Sequence, residues 1–135
     1  LNETRDGKQI SPQWQFRPLG GRQQTPVVQN TWYTMIPTTS DVIVNYISFT
    51  QQAPQTGIYE FRATIDGNVI SISGVNPAAG RLYLYLDAAS DVLLSGAAVT
   101  AFAQIAPIYA RSFTLEGRNT NDTSPFTVVM RWQSL

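Results

Sequence analysis

The chain has 135 residues, 43% hydrophobic and 13% charged, with nine basic side chains balanced by nine acidic ones. That length suits one domain with a core that needs no staples, and the apolar share argues against a chain disordered throughout. A net charge of zero argues against bulk electrostatic capture of nucleic acid or an anionic membrane, and it leaves copies of the chain little mutual repulsion.

Neither cysteine nor histidine is present. Disulfides and thiolate chemistry are therefore excluded, and the commonest metal ligand and general base are missing. Lys8 is the only lysine; the other basic residues are arginines, whose planar fork suits interfaces. No apolar run approaches the length of a membrane span. The chain opens on Leu1, as a mature or trimmed form would. Asn2-Glu3-Thr4 and Asn121-Asp122-Thr123 match the glycosylation sequon, a pattern that chance produces often.

In chain order, residues 1–25 read as an extended N-terminal arm and 26–135 as the domain. The arm lacks periodicity and carries Pro12, Pro18 and Gly20-Gly21. Arg5, Lys8, Arg17 and Arg22 outnumber Glu3 and Asp6, so a mildly basic arm precedes a mildly acidic body. Trp14 and Phe16 fall on one side of an extended chain. They are expected to dock on a neighbouring subunit, with Gly20-Gly21 as a joint, or on the domain itself if the arm folds back as an edge strand.

Strands follow at short intervals. The first covers 27–36 and is closed by Pro37. The second covers 42–50, opens at Asp41, and is apolar on both sides, which predicts a central position. In residues 58–73, Tyr59, Phe61, Ala63 and Ile65 alternate with Glu60, Arg62 and Thr64, the period of a half-buried strand. Asp66-Gly67 then separates them from Val69, Ile70 and Ile72, which predicts a hairpin with positive φ at both turn residues.

Residues 81–86 set Leu82, Leu84 and Leu86 against Tyr83 and Tyr85. With the leucines in the core the tyrosines face outward, as tyrosines do at interfaces. Residues 87–94 read either as one helical turn or as a turn before a short strand, 92–95. Gly96 leaves too little length for the helix, so the turn is favoured. Strands over 97–105, 109–116 and 126–133 complete the series; the second places Tyr109, Arg111, Phe113 and Leu115 together. Phe61, Ile65, Leu84, Phe113, Val128 and Met130 are the expected core.

About eight strands without a helix predict an all-β fold: a single antiparallel β-sandwich, jelly-roll-like, with an extended N-terminal arm. An immunoglobulin-like sandwich is the alternative, lacking its usual disulfide.

Little in this chain points to catalysis. Asp66, Asp87 and Asp91 fall in turns or at strand ends, and Glu60 and Glu116 lie in strands where they pair with arginine or face water. Asp87 and Asp91 lack the ligand series of a calcium loop, and no glycine-rich phosphate loop occurs. No catalytic, cofactor or metal residue is assigned. The aromatics Trp14, Trp32, Trp132, Tyr33, Tyr83 and Tyr85 suit either a stacking platform for sugars or single strands, or ordinary packing. Packing is favoured, with Trp32 and Trp132 in the core and the tyrosines on a sheet surface or at an interface. Trp14, Phe16, Arg17, Arg22, Tyr83 and Tyr85 are the candidate subunit-interface residues.

One resemblance rests on four segments: Thr31-Trp32-Tyr33, Tyr59-Glu60-Phe61-Arg62-Ala63-Thr64-Ile65-Asp66-Gly67, Arg81-Leu82-Tyr83-Leu84-Tyr85-Leu86-Asp87 and Ala110-Arg111-Ser112-Phe113-Thr114-Leu115-Glu116. Their order over 26–135 resembles small virion proteins of tailed phages and related viruses. The resemblance implies a non-enzymatic structural subunit on the virion surface: a capsid decoration, minor capsid or tail-associated protein. Its partners would be copies of itself, as a trimer or lattice, and a major capsid or tail protein, without cofactor, nucleic acid or membrane. The rival readings are a glycan-binding module or receptor-binding head, and a subunit of an extracellular or cell-surface filament.

Overall fold

The hairpin read from Asp66-Gly67 forms as those residues require. In the computed structural model, which describes residues 17–53, 55–76, 81–87, 92–97 and 108–134, and the side chains of all but 17–19, 85–87 and 92–97 of these, Asp66 and Gly67 have φ values of 51° and 85°. Both positive values are what a type I′ turn needs. The turn joins β3 (Tyr59–Ile65) to β4 (Asn68–Val75), paired from Ile65 opposite Asn68 up to Tyr59 opposite Val75.

The described residues are all-β and antiparallel, in eight strands. β1 (Arg17–Gln24) pairs with β8 (Phe126–Ser134), β8 with β2 (Tyr33–Gln51), β2 with β7 (Ile108–Asn119), and β7 with β3. β5 (Arg81–Asp87) branches from β2 and carries β6 (Val92–Ala97). Asp87 lies opposite Val92, the antiparallel return that the turn reading of 87–94 anticipates.

β2 is one strand of 19 residues where the sequence predicts two. It runs through Pro37 because the ladder with β7 shifts register between Ile36 and Thr39. At such an irregularity the missing N–H of proline deprives the sheet of nothing. The N-terminal part of β2 pairs with β7 from Tyr33 to Val44, and its C-terminal part pairs with β8 from Val42 to Gln51. Beyond the end of β7, Ile47 to Thr50 pair with β5 instead. One strand thus holds two groups of neighbours.

The core lies where these groups meet. β3 is not hydrogen-bonded to β2, yet the Phe49 ring stands 4.8 Å from those of both Tyr59 and Phe61, centroid to centroid, and 6.1 Å from that of Phe126. Phe61, Leu84, Phe113, Val128 and Met130 are buried as predicted, and Ile65 packs against them partly exposed.

Two expectations need correction. Residues 17–24 of the arm form the edge strand β1, as in the alternative where the arm folds back on its own sheet. Gly20-Gly21 is a site of close approach inside it rather than a joint: a Cβ at Gly21 would sit 2.9 Å from the Val128 carbonyl oxygen. Residues 1–16, with Trp14 and Phe16, lie outside the described residues, as do 98–107, which include most of the predicted strand over 97–105. In β7, Tyr109 and Arg111 are exposed while Ala110, Phe113 and Leu115 are buried. The buried side changes at Arg111 and Ser112, whose backbone N–H groups both donate to Asp66 Oδ1, at 2.7 and 3.0 Å.

Two stability changes follow. A Cβ at Gly67 meets nothing within 4 Å, so Gly67→Val is penalised by the backbone alone. It is expected to cost about 1 kcal/mol or more and to lower the melting temperature by a few degrees; an unchanged melting curve contradicts the strain argument. Phe113→Ala empties a fully buried site and is expected to cost about 3–5 kcal/mol in a urea titration.

Candidate interaction surfaces

Outward positions of β8, β2 and β5 bring three side chains together. Arg131 lies opposite Tyr46, and Tyr83 opposite Ser48. The Tyr46 and Tyr83 rings meet edge to face at 5.6 Å, and the Arg131 guanidinium lies 5.7 Å from the Tyr46 centroid. Both tyrosines are half-buried and Arg131 is exposed. Leu84 is buried and Leu82 packs on the core, so Tyr83 takes the outward side that the alternation predicts. Tyr46 joins it through the register shift between Val44 and Tyr46 against β8. That bulge transfers the residues after Val44 to the opposite face, which alternation alone does not reveal.

A second surface lies on β3 and β7. Glu60 pairs with Arg118 and Arg62 with Glu116 directly across the ladder. Arg62 is bidentate, with Nε and Nη2 donating to the two Glu116 oxygens at 2.8 and 3.1 Å. Arg118 Nε donates to Glu60 Oε1 at 2.6 Å. The bond to Glu116 holds the Arg62 guanidinium above its ordinary pKa despite partial desolvation, and the charges of Glu116 and Glu60 add to it. Trp32 caps this square of charges: its ring centroid is 4.0 Å from the Arg62 guanidinium carbon and 4.6 Å from that of Arg118. Trp32 is therefore not a core residue, as the sequence favoured; the arginines supply its contacts.

This square was written in the sequence as Glu60-Phe61-Arg62 and Glu116-Gly117-Arg118. Two Glu-x-Arg triplets on antiparallel neighbours put each acid opposite the other strand's base. Gly117 leaves room beneath: a Cβ there would stand 2.7 Å from the Phe61 ring.

The loop ahead of β8 closes one end of the sheet with a polar knot. Asp122 Oδ1 accepts from Asn119 Nδ2 at 2.6 Å and Ser124 N–H at 2.9 Å, while Oδ2 accepts from Thr56 and, at 3.2 Å, Ser124 Oγ. Burial pushes this carboxyl up, but the bonds from Thr56, Ser124 and Asn119 outweigh it and hold the pKa below the ordinary carboxylate value. Tyr59 reaches the knot from the core, donating to the Ser124 carbonyl at 2.9 Å. Burial, then the charge of Asp122, raises its phenol pKa against the bond with Asn119. Asn121 of the second sequon accepts from Ile58 N–H at 2.7 Å and donates to the Thr56 carbonyl at 2.9 Å, so its amide already serves the fold.

Of the predicted interface residues, Tyr83 stands on the outward face of β5. Tyr85 and Arg17 occupy backbone positions opposite Leu94 and Trp132, with side chains outside the description. Arg22 is exposed and donates to the Thr34 carbonyl at 2.9 Å. Among the described residues no cluster of three acidic, histidine or cysteine side chains is placed to hold a metal. No protein-family model matches the chain, and no curated protein or solved structure shows significant similarity to it.

The Asp122 knot carries a pH dependence. A carboxyl depressed in the folded state adds stability that is fully present above the unfolded value of about 3.9 and lost as pH falls through the folded value. Asp122→Asn is therefore expected to be less stable than the parent at pH 7, with the gap closing as the pH falls below that value. Urea titrations of both proteins from neutral pH into the acid range measure it, and a gap independent of pH contradicts the assignment.

Proposed function

We propose that this chain is a non-enzymatic structural subunit that assembles with copies of itself through the outward face of β8, β2 and β5. The observation that carries the reading is the Tyr46–Tyr83 edge-to-face pair beside exposed Arg131. Tyrosine and arginine are the side chains enriched at protein interfaces, since each joins a large contact area to a polar tip. The balanced charge supports the same reading, because copies approach without net repulsion.

A jelly-roll-like sandwich fits the pairings if β2 is divided at its bulge. One sheet is then β1-β8-β2-β5-β6, using residues 42–51 of β2, and the other is β2-β7-β3-β4, using residues 33–44. Two antiparallel sheets, here of five and four strands sharing β2, are the general plan of that fold, and the Phe49–Phe61 contact is what packing between such sheets requires. The virion surface, a trimer or lattice, and a capsid or tail partner are the setting that the resemblance to phage structural proteins suggests. Residues 1–16, with Trp14 and Phe16, and edge strand β1, with Arg17 and Arg22, are a further candidate contact between subunits.

Mass measurement by light scattering tests the assembly. The parent is expected to be a trimer or larger, and Tyr83→Arg combined with Tyr46→Arg is expected to reduce it to a folded monomer by circular dichroism. A monomeric parent overturns the proposal, and so does an oligomer that survives both substitutions.

A further inference from the structure

The Trp32 surface has features that a structural cap does not require. We infer that Trp32, Arg62, Arg118, Glu60 and Glu116 form a binding site for a neutral carbohydrate, independent of the assembly face.

The first argument is presentation. Trp32 ends a loop that is fixed from several directions. Asn30 N–H donates to the Asn119 carbonyl at 2.7 Å, Gln29 Nε2 to the Thr120 carbonyl at 3.1 Å, and Val28 N–H to the Tyr33 hydroxyl at 2.8 Å. The indole is held over the sheet before any ligand arrives, so binding need not order it. It stays half-exposed on an outward face, although the core accommodates Phe49, Tyr59, Phe61, Phe113 and Phe126.

The second argument is polar capacity. The side chains of Arg62 and Glu116 are 35% and 26% exposed, and those of Arg118 and Glu60 31% and 21%. The bonds within the square use Nε and Nη2 of each arginine, both Glu116 oxygens and Oε1 of Glu60. Glu60 Oε2 and both Nη1 groups are left without a partner among the described residues. Each salt bridge fixes planar donors and acceptors beside the indole, and adjacent hydroxyls on a sugar ring match such paired atoms. The apolar C–H face of the same ring would lie on the indole, as a large aromatic surface with a polar surround favours.

The third argument is charge. Two arginines and two glutamates sum to zero, and each base already has its acid at hydrogen-bond distance. An anion entering here would meet two carboxylates, which disfavours phosphate backbones and acidic sugars. A neutral saccharide meets no such opposition.

The test is a titration of the full chain, followed by nuclear magnetic resonance, with glucose, galactose, mannose, N-acetylglucosamine, lactose, maltose and cellobiose. Trp32→Phe, checked for fold by circular dichroism, identifies the Trp32 indole signal. At least one neutral sugar is expected to shift that signal and the Arg62 and Arg118 Nε–H signals saturably in the millimolar range. Glu60→Gln is expected to weaken that binding several-fold with the fold intact. The inference is overturned if no sugar moves the Trp32 signal, if Glu60→Gln binds as the parent does, or if a sulfated or sialylated oligosaccharide binds more tightly than every neutral one. The oligomer mass plays no part in this readout, so each proposal fails or stands separately.

Discussion

The contact of Phe49 with Tyr59, Phe61 and Phe126 is the one on which the rest of this structure depends. Phe49 sits in the C-terminal part of a strand whose N-terminal part belongs to a different set of neighbours. At about 3.3 Å per residue, 19 residues would extend for about 60 Å if straight, too long for one side of a single core. The register shifts after Thr34, Ile36 and Val44 let the strand bend and change its buried face. By Phe49 the chain lies under β3, a strand to which it makes no ladder bond. Besides the backbone pairing through β2, aromatic rings therefore join the two groups of strands across the core, and edge-to-face packing gives that contact a preferred geometry beyond plain burial.

Two carboxylates secure the neighbouring strands at their ends. At one end Asp66 shapes its own turn and takes two N–H groups from β7 at the point where that strand changes its buried side. At the other, Asp122 gathers Asn119, Ser124 and Thr56 around the hydroxyl of Tyr59. Tyr59 thus belongs both to the aromatic core and to the polar knot, so packing and hydrogen bonding in this region are coupled. Neither carboxylate is arranged for acid–base work: each is occupied by donors from the fold.

Much of this was legible in the sequence where local chemistry decides it. The Asp66-Gly67 turn, the inward side of Phe61, Leu84, Val128 and Met130, and the outward side of Tyr83 follow from alternation and turn residues alone. What stayed hidden depends on breaks in that alternation. Pro37 marks a strand end in most contexts, and only the partner strand reveals the shift that absorbs it. Tyr46 falls in phase with Val42 and Val44 until the bulge moves it to the outward side. Gly20-Gly21 suggests freedom, yet serves a close approach to β8 that can be known only once the two strands are paired. The charge square was open to reading from its repeated Glu-x-Arg triplet, but Trp32 above it was not, because two of the loop bonds that hold it, to Asn119 and Thr120, come from the far end of the chain.

The core geometry also separates the two outward surfaces. Phe49 and Phe61 face each other, so the positions alternating with them, among them Ser48 in β2 and Arg62 in β3, face away on opposite sides. Beside Tyr46 and Tyr83 stand Arg131, opposite Tyr46, and Arg81, two positions before Tyr83, whereas the Trp32 surface concentrates two ion pairs within two strand positions. Burying the second surface against another subunit would desolvate two ion pairs, a cost that mutual attraction often fails to offset. Burying the first covers mainly tyrosine rings. On the proposed assembly through the tyrosine face the Trp32 face would stay in water, and a subunit docked in this way would present its charged, indole-capped surface outward.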